Sequence, residues 1–196
     1  MITGGVDYYD ANPGPLETSV IFKGGVPSPG PELPTPLWKH CLLKINDTHL
    51  FMAGGADNEQ RNANAYLLNK DAWVWTELPM MGWPRTGHGC ALFDSNKVIV
   101  VGGFPVFVFR PRSDILSLDT LTWSAGPFDP TIYNKVSLIP YADSLLTVET
   151  GEAKSVIRRL DRKSNKFVDL FEVESFNGGT AMLLPDNYPV KCPIQS

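Results

Sequence analysis

Apolar runs that stop at a glycine pair recur along this chain at a nearly constant interval. They read Ile2-Thr3-Gly4-Gly5, Phe51-Met52-Ala53-Gly54-Gly55 and Val98-Ile99-Val100-Val101-Gly102-Gly103. A worn fourth copy reads Leu146-Thr147-Val148-Glu149-Thr150-Gly151. The last glycine of each falls at 5, 55, 103 and 151, so the steps are 50, 48 and 48. A period of that length means one small supersecondary unit repeated, each copy burying its faces against its neighbours. The functional question then moves from catalytic groups to the loops that the repeat displays.

Each unit has the same grammar. The clearest opens with Arg85-Thr86-Gly87-His88-Gly89 and continues as the apolar run Cys90-Ala91-Leu92-Phe93. Asp94-Ser95-Asn96-Lys97 has turn composition. Val98 to Val101 is β-branched throughout, as a strand buried on both faces is. Ile115-Leu116-Ser117-Leu118-Asp119 predicts a third strand ending in an acid, and Thr122-Trp123 begins a fourth. The preceding unit repeats this order through His40 to Ile45, His49 to Ala53, Ala65 to Asn69 and Trp75. The following one is weaker, with Val136 to Ile139, Ser144 to Val148, Val156 to Asp161 and Phe167. Three residue types set the period independently: His40 to His88, Gly55 to Gly103 and Trp75 to Trp123 are each 48 apart. Many short strands at regular spacing predict an all-β array of four-stranded antiparallel sheets, a β-propeller.

On these residues the chain resembles the kelch repeat family. The glycine pairs Gly54-Gly55 and Gly102-Gly103, the acids Asp119 and Asp161, and the tryptophans Trp75 and Trp123 carry the likeness, with Arg85-x-x-His88 in support. It covers residues 1 to about 185 and is weakest in the third unit, where Thr150-Gly151 replaces the pair and Phe167 replaces Trp. The resemblance implies a kelch-type β-propeller with those residues as architecture. Propellers close with about 4–8 blades, and the repeat accounts for fewer. The expected division is a partial blade over 1–38, blades over 39–83, 84–130 and 131–175, and the start of another over 176–196. Met1-Ile2-Thr3 reads as the tail of a strand, so the chain is expected to be a piece of a larger propeller that needs further blades.

Composition narrows the function classes. With a net charge of −4 the chain lacks the basic excess of a nucleic-acid binder. No apolar run approaches the ~20 residues of a membrane-spanning helix. Cys41, Cys90 and Cys192 match neither a disulfide framework nor a zinc pattern. The reading adopted is free buried thiols, which leans towards a cytoplasmic protein. A single disulfide is the alternative and would imply an oxidising compartment. Asn46-Asp47-Thr48 is a glycosylation acceptor triplet, and also good turn chemistry.

The partner-binding candidates lie in loops after the glycine pairs. Ala56 to Asn64 is long and polar and contains Arg61. Phe104 to Arg112 sets Phe107 and Phe109 beside Arg110 and Arg112, an aromatic and arginine mixture typical of interface hot spots. It also reads as an inward-packing strand extension. A basic rim of Arg61, Arg110 and Arg112 would suit an acidic peptide. The cluster Lys154, Arg158, Arg159, Arg162, Lys163 and Lys166, followed by Asp169, Glu172 and Glu174, reads as a hairpin with local charge pairing. No catalytic motif, metal-ligand set or cofactor fingerprint stands out. The expectation is a non-catalytic module that binds a protein partner. In many kelch relatives such a propeller recruits substrates to a ubiquitin ligase or binds actin. The alternatives are a secreted kelch-repeat protein with a disulfide and a glycan, and a fragment of a propeller enzyme.

Overall fold

The computed structural model describes residues 1–7, 14–58, 60–104, 113–127, 135–150 and 154–174. Every regular element among them is a β-strand, as the sequence predicts. The chain opens with β1 (Ile2–Thr3), then the two-stranded ribbon β2 (Val6–Asp7) and β3 (Gly14–Pro15), then β4 (Ser19–Lys23) and β5 (Val26–Pro29). β1, β4 and β5 form a three-stranded sheet in that order. Three four-stranded antiparallel meanders follow. The first is β6 (Cys41–Lys44), β7 (His49–Ala53), β8 (Ala65–Asn69) and β9 (Val74–Leu78). The second is β10 (Gly89–Asp94), β11 (Lys97–Val101), β12 (Ser113–Ser117) and β13 (Thr122–Ala125). The third is β14 (Lys135–Tyr141), β15 (Ser144–Thr150), β16 (Lys154–Asp161) and β17 (Lys166–Glu174). Sheets stacked in this way are the blades of a kelch-type β-propeller.

The core is a series of interfaces between successive sheets, because alternate residues of a strand face opposite ways. Cys41, Phe51, Ala53 and Leu78 of the first meander pack on Val98, Val100 and Leu116 of the second. The opposite face of the second meander, with Ala91, Ile99 and Val101, packs on Leu145, Leu160 and Phe167 of the third. Leu33 and Leu37 cover Met52 and Tyr66 on the outer face of the first.

The glycine pairs join neighbours. Gly5 N donates to Leu37 O at 3.0 Å, and Gly55 N donates to Arg85 O at 2.8 Å. In both, the residues just after a strand, β1 and β7, are tied to the segment leading into the next sheet. Gly54 and Gly55 have φ of 63° and 96°, and a Cβ on Gly55 would lie 2.9 Å from Trp38 O. Only glycine meets both demands. Gly89 meets a different one. There β10 approaches β14 so closely that a Cβ would sit 2.8 Å from Leu138 Cβ and 2.9 Å from Val136 O.

The third meander departs from the expected period. Cys90 pairs with Val100, but Leu138, 48 residues after Cys90, pairs with Thr147, only 47 after Val100. The cause is an irregularity between Leu92 and Asp94 in β10 that β14 lacks. By register Glu149 and Thr150 therefore take the places of Gly102 and Gly103, and both pair with β14. Gly151 lies outside the described residues.

The expectation of free thiols fails for two of the three cysteines. Cys41 and Cys90 form a disulfide between β6 and β10, with Cα atoms 6.0 Å apart. These are not equivalent repeat positions. Cys41 lies on the face that looks towards the second meander and Cys90 on the face that looks back, so adjacent sheets bring them together. Cys192 lies outside the described residues.

Candidate recognition surface

The segment before β6 and the loop after β7 build one wall of a cleft. Trp38 and Ala56 exchange two backbone hydrogen bonds, of 3.0 and 2.9 Å. Ala56 also bridges to Arg61. The turn between them closes through Asp57 N to Gln60 O at 3.1 Å and Gln60 N to Asp57 Oδ1 at 2.8 Å. A short aspartate that accepts a backbone N–H is the local reason for the turn. The segment before β10, with Thr86, and the residue after Gly103, Phe104, form the other wall. Phe104 N donates to Thr86 O at 3.0 Å.

The cleft is an open hollow of about 710 Å³ lined by Trp38, Lys39, Asp57, Arg61, Thr86 and Phe104, among others. Arg61 is exposed at its rim. Phe104 leaves 39% of its surface in solvent at the cleft edge. Thr86 Oγ1 is buried with no hydrogen-bond partner among the described residues.

Lys39 has a distinctive backbone. Its φ is 55°, a left-handed conformation, at the repeat position where the next sheet has Gly87 with φ 71°. A non-glycine residue there is uncommon and unfavourable. Its ammonium stands 3.9 Å from the centroid of the Trp38 ring, a cation–π contact. Burial, and then the charge of Lys135, lower its pKa. Lys39 and Lys135 share a second hollow of about 370 Å³ with His40 and His88. The two histidines bond back to the preceding sheet. His40 Nε2 meets Thr3 Oγ1 at 2.7 Å, and His88 Nε2 donates to Ala53 O at 3.0 Å. Burial pushes the pKa of His40 down to about 4. Burial, and then Arg85, push that of His88 down to about 3. Both are neutral at pH 7.

Of the residues expected from the sequence to bind a partner, the cleft includes Arg61. Phe107, Phe109, Arg110 and Arg112 lie outside the described residues. Trp38, Lys39 and Thr86 were missed as site residues. A signal for Lys39 was present, since it falls 48 residues before Gly87.

The repeat residues lie between and within sheets. Trp123 Nε1 donates to Pro79 O at 2.7 Å, and its ring centroid is 6.4 Å from that of Phe51. Trp75 packs with Leu33, Leu37 and Met52. Asn96 Nδ2 donates to Asp119. Asp161 accepts from Ser164 Oγ at 2.6 Å and Lys163 N at 3.0 Å, bonds that hold its carboxyl below the usual range, the Ser164 bond first.

Two members of the basic cluster, Lys154 and Arg158, are paired with carboxylates. Arg158 is buried between Glu149 and Asp169, each 2.6 Å away. Lys154 meets Glu172 at 2.7 Å. Arg162 lies over Phe93 and donates to the backbone oxygens of Asp143 and Phe93. Among the described residues no group of three or more His, Cys, Asp or Glu is placed to hold a metal ion.

No family model matches the chain. It is 30% identical over 129 residues to the Rho GTPase-activating protein gacHH of Dictyostelium discoideum, covering 61% of this chain and 8% of that protein. It is 32% identical over 65 residues to Kelch domain-containing protein 2 of Rattus norvegicus and of Mus musculus, covering 32% of this chain and 16% of each of those proteins. The chain thus spans a small part of the curated relatives it matches.

Proposed function

We propose that this chain is a non-catalytic recognition module that holds a segment of another protein in the cleft between its first two four-stranded blades. The observation that carries this reading is the cleft lining itself. Aromatic surface from Trp38 and Phe104 stands beside the cations of Lys39 and Arg61, on loops anchored to paired strands. Aromatic and arginine side chains dominate binding energy at protein interfaces. The partial similarity to Kelch domain-containing protein 2 supports a kelch-type scaffold. A partner segment with an apolar anchor and a flanking carboxylate fits this chemistry. Arg110 and Arg112 belong to the same proposal by their place in the sequence.

A displayed library of random peptides, selected on the purified chain, tests this. Sequences that combine an aromatic or aliphatic residue with Asp or Glu should be enriched. Trp38→Ala and Arg61→Glu should each lower their affinity at least tenfold, and Lys163→Glu, in a distant hairpin turn, should leave it unchanged. Enriched peptides that bind the Trp38 and Arg61 variants as tightly as the wild type would overturn the reading.

A further inference from the structure

The turn between β6 and β7 has no part in the cleft, yet it carries the chain's single Asn-x-Ser/Thr triplet, Asn46-Asp47-Thr48. Asn46 and Asp47 are exposed. Asn46 Oδ1 accepts hydrogen bonds from Thr48 N at 2.9 Å, Thr48 Oγ1 at 3.0 Å and His49 N at 2.8 Å. Backbone N–H groups can only donate, so the oxygen of the amide is assigned by the network. The amide nitrogen takes part in none of these bonds.

A second, independent observation concerns the same sheet. β6 is bonded to β10 through Cys41–Cys90. Structural disulfides form in oxidising compartments and are rare in a reducing cytosol. The secretory route, where such bonds form, is also where Asn-x-Ser/Thr triplets are glycosylated.

We propose that Asn46 is an N-glycosylation site and that the chain matures along an oxidising secretory route. In the transfer, Asn46 Nδ2 bonds to C1 of the reducing-end sugar of a polyprenyl-diphosphate-linked oligosaccharide. The C1–O bond breaks, the polyprenyl diphosphate leaves with the electron pair, and the Nδ2 proton passes to a base of the transferring enzyme. No electrons are exchanged. In the separate oxidation, the Cys41 and Cys90 thiols lose two protons and two electrons to the disulfide of an oxidoreductase, which becomes a dithiol.

Topology makes the two roles compatible. The Asn46 turn joins the N-terminal end of β7, and Gly54-Gly55 follows its C-terminal end. Five strand residues at ~3.3 Å each separate them. A glycan on Asn46 therefore projects from the rim opposite the cleft of Trp38 and Arg61. The proposal does not depend on what that cleft binds.

The test uses the full chain, directed through the secretory pathway of eukaryotic cells and also isolated from its native source. Treatment with peptide N-glycosidase should increase gel mobility and convert Asn46 to aspartate in peptide maps of both. Thr48→Ser should keep the glycan. Asn46→Gln and Thr48→Ala should lose it while the chain is still secreted. A non-reduced digest should contain the Cys41–Cys90 linked peptide. Folded native material with an unmodified Asn46, or with free Cys41 and Cys90 thiols, overturns the proposal.

Discussion

Arg85 reaches Asp114 across 29 residues of sequence and donates to its Oδ2 from Nη2 at 2.7 Å and from Nε at 3.2 Å, with both side chains almost removed from solvent. A third guanidinium bond, of 2.9 Å, goes to Gly102 O. One sheet earlier the equivalent pair, 48 residues back, is Leu37 with Tyr66, which pack in an apolar cluster. One sheet later the place of Asp114 is taken by register by Arg158, which brings its own carboxylates, Glu149 and Asp169. The same niche is thus filled in three ways.

Removing one member of the buried pair strands the other. Arg85→Leu or Asp114→Tyr alone should each destabilise the fold by about 3–5 kcal/mol. The double variant, which copies Leu37 and Tyr66, should recover most of that loss, since a buried ion pair is often replaceable by apolar groups. Urea unfolding in a double-mutant cycle checks this. Additive losses would show that the niche cannot accept the apolar solution.

The Cys41–Cys90 bond closes a loop with a sequence separation of 49. In the chain-entropy model a loop of that size contributes about 4 kcal/mol. Dithiothreitol, or Cys41→Ser with Cys90→Ser, should lower the urea midpoint accordingly. Equal midpoints in reducing and oxidising buffer would contradict a bonded native state.

His40 and His88 give the fold a specific acid sensitivity. Their pKa values fall to about 4 and about 3 on folding, against about 6.5 in the unfolded chain. Below 6.5 the unfolded state binds more protons, so stability falls with pH until the folded values are reached. The contribution is intact at pH 7.5 and begins to be lost near pH 6.5. Each histidine should cost about 2 kcal/mol at pH 5. Urea midpoints at pH 7.5, 6 and 5 should show the decline, and His88→Gln should roughly halve its slope. An unchanged midpoint down to pH 5 would exclude neutral burial.

Gly89→Ala places a methyl group within 3 Å of Leu138 and Val136 backbone atoms. It should destabilise by about 1–3 kcal/mol, the usual cost of overpacking. Gly82→Ala meets only Asp114 Oδ1 at 3.4 Å and should change stability little. Thermal melts of the two variants separate steric exclusion from a general cost of replacing glycine.

The strands could be read from the chain because their signals are local. Val98 to Val101 is a β-branched run, Asp94 to Lys97 is a turn, and the histidine, glycine and tryptophan markers keep one spacing. The candidate site was only partly legible. Arg61 could be chosen by composition and place. Lys39 shares the repeat position of Gly87, a sequence signal for its left-handed backbone, but the Trp38 ring beneath its ammonium is a contact that no window of sequence displays.

The sequence by itself determined a repeating unit of four antiparallel strands and the glycine positions that link copies, because period and turn chemistry act over a few residues at a time. Only the tertiary structure decided which faces meet. It brought Cys41 to Cys90, gave Arg85 its carboxylate and withdrew Arg158 from a basic cluster into a buried pair. It also showed that the third blade slips by one residue, so that Thr150, and not Gly151, stands in register with Gly103. Such outcomes depend on contacts between sheets tens of residues apart. There the desolvation of each buried group, rather than its neighbours in sequence, selects its partner.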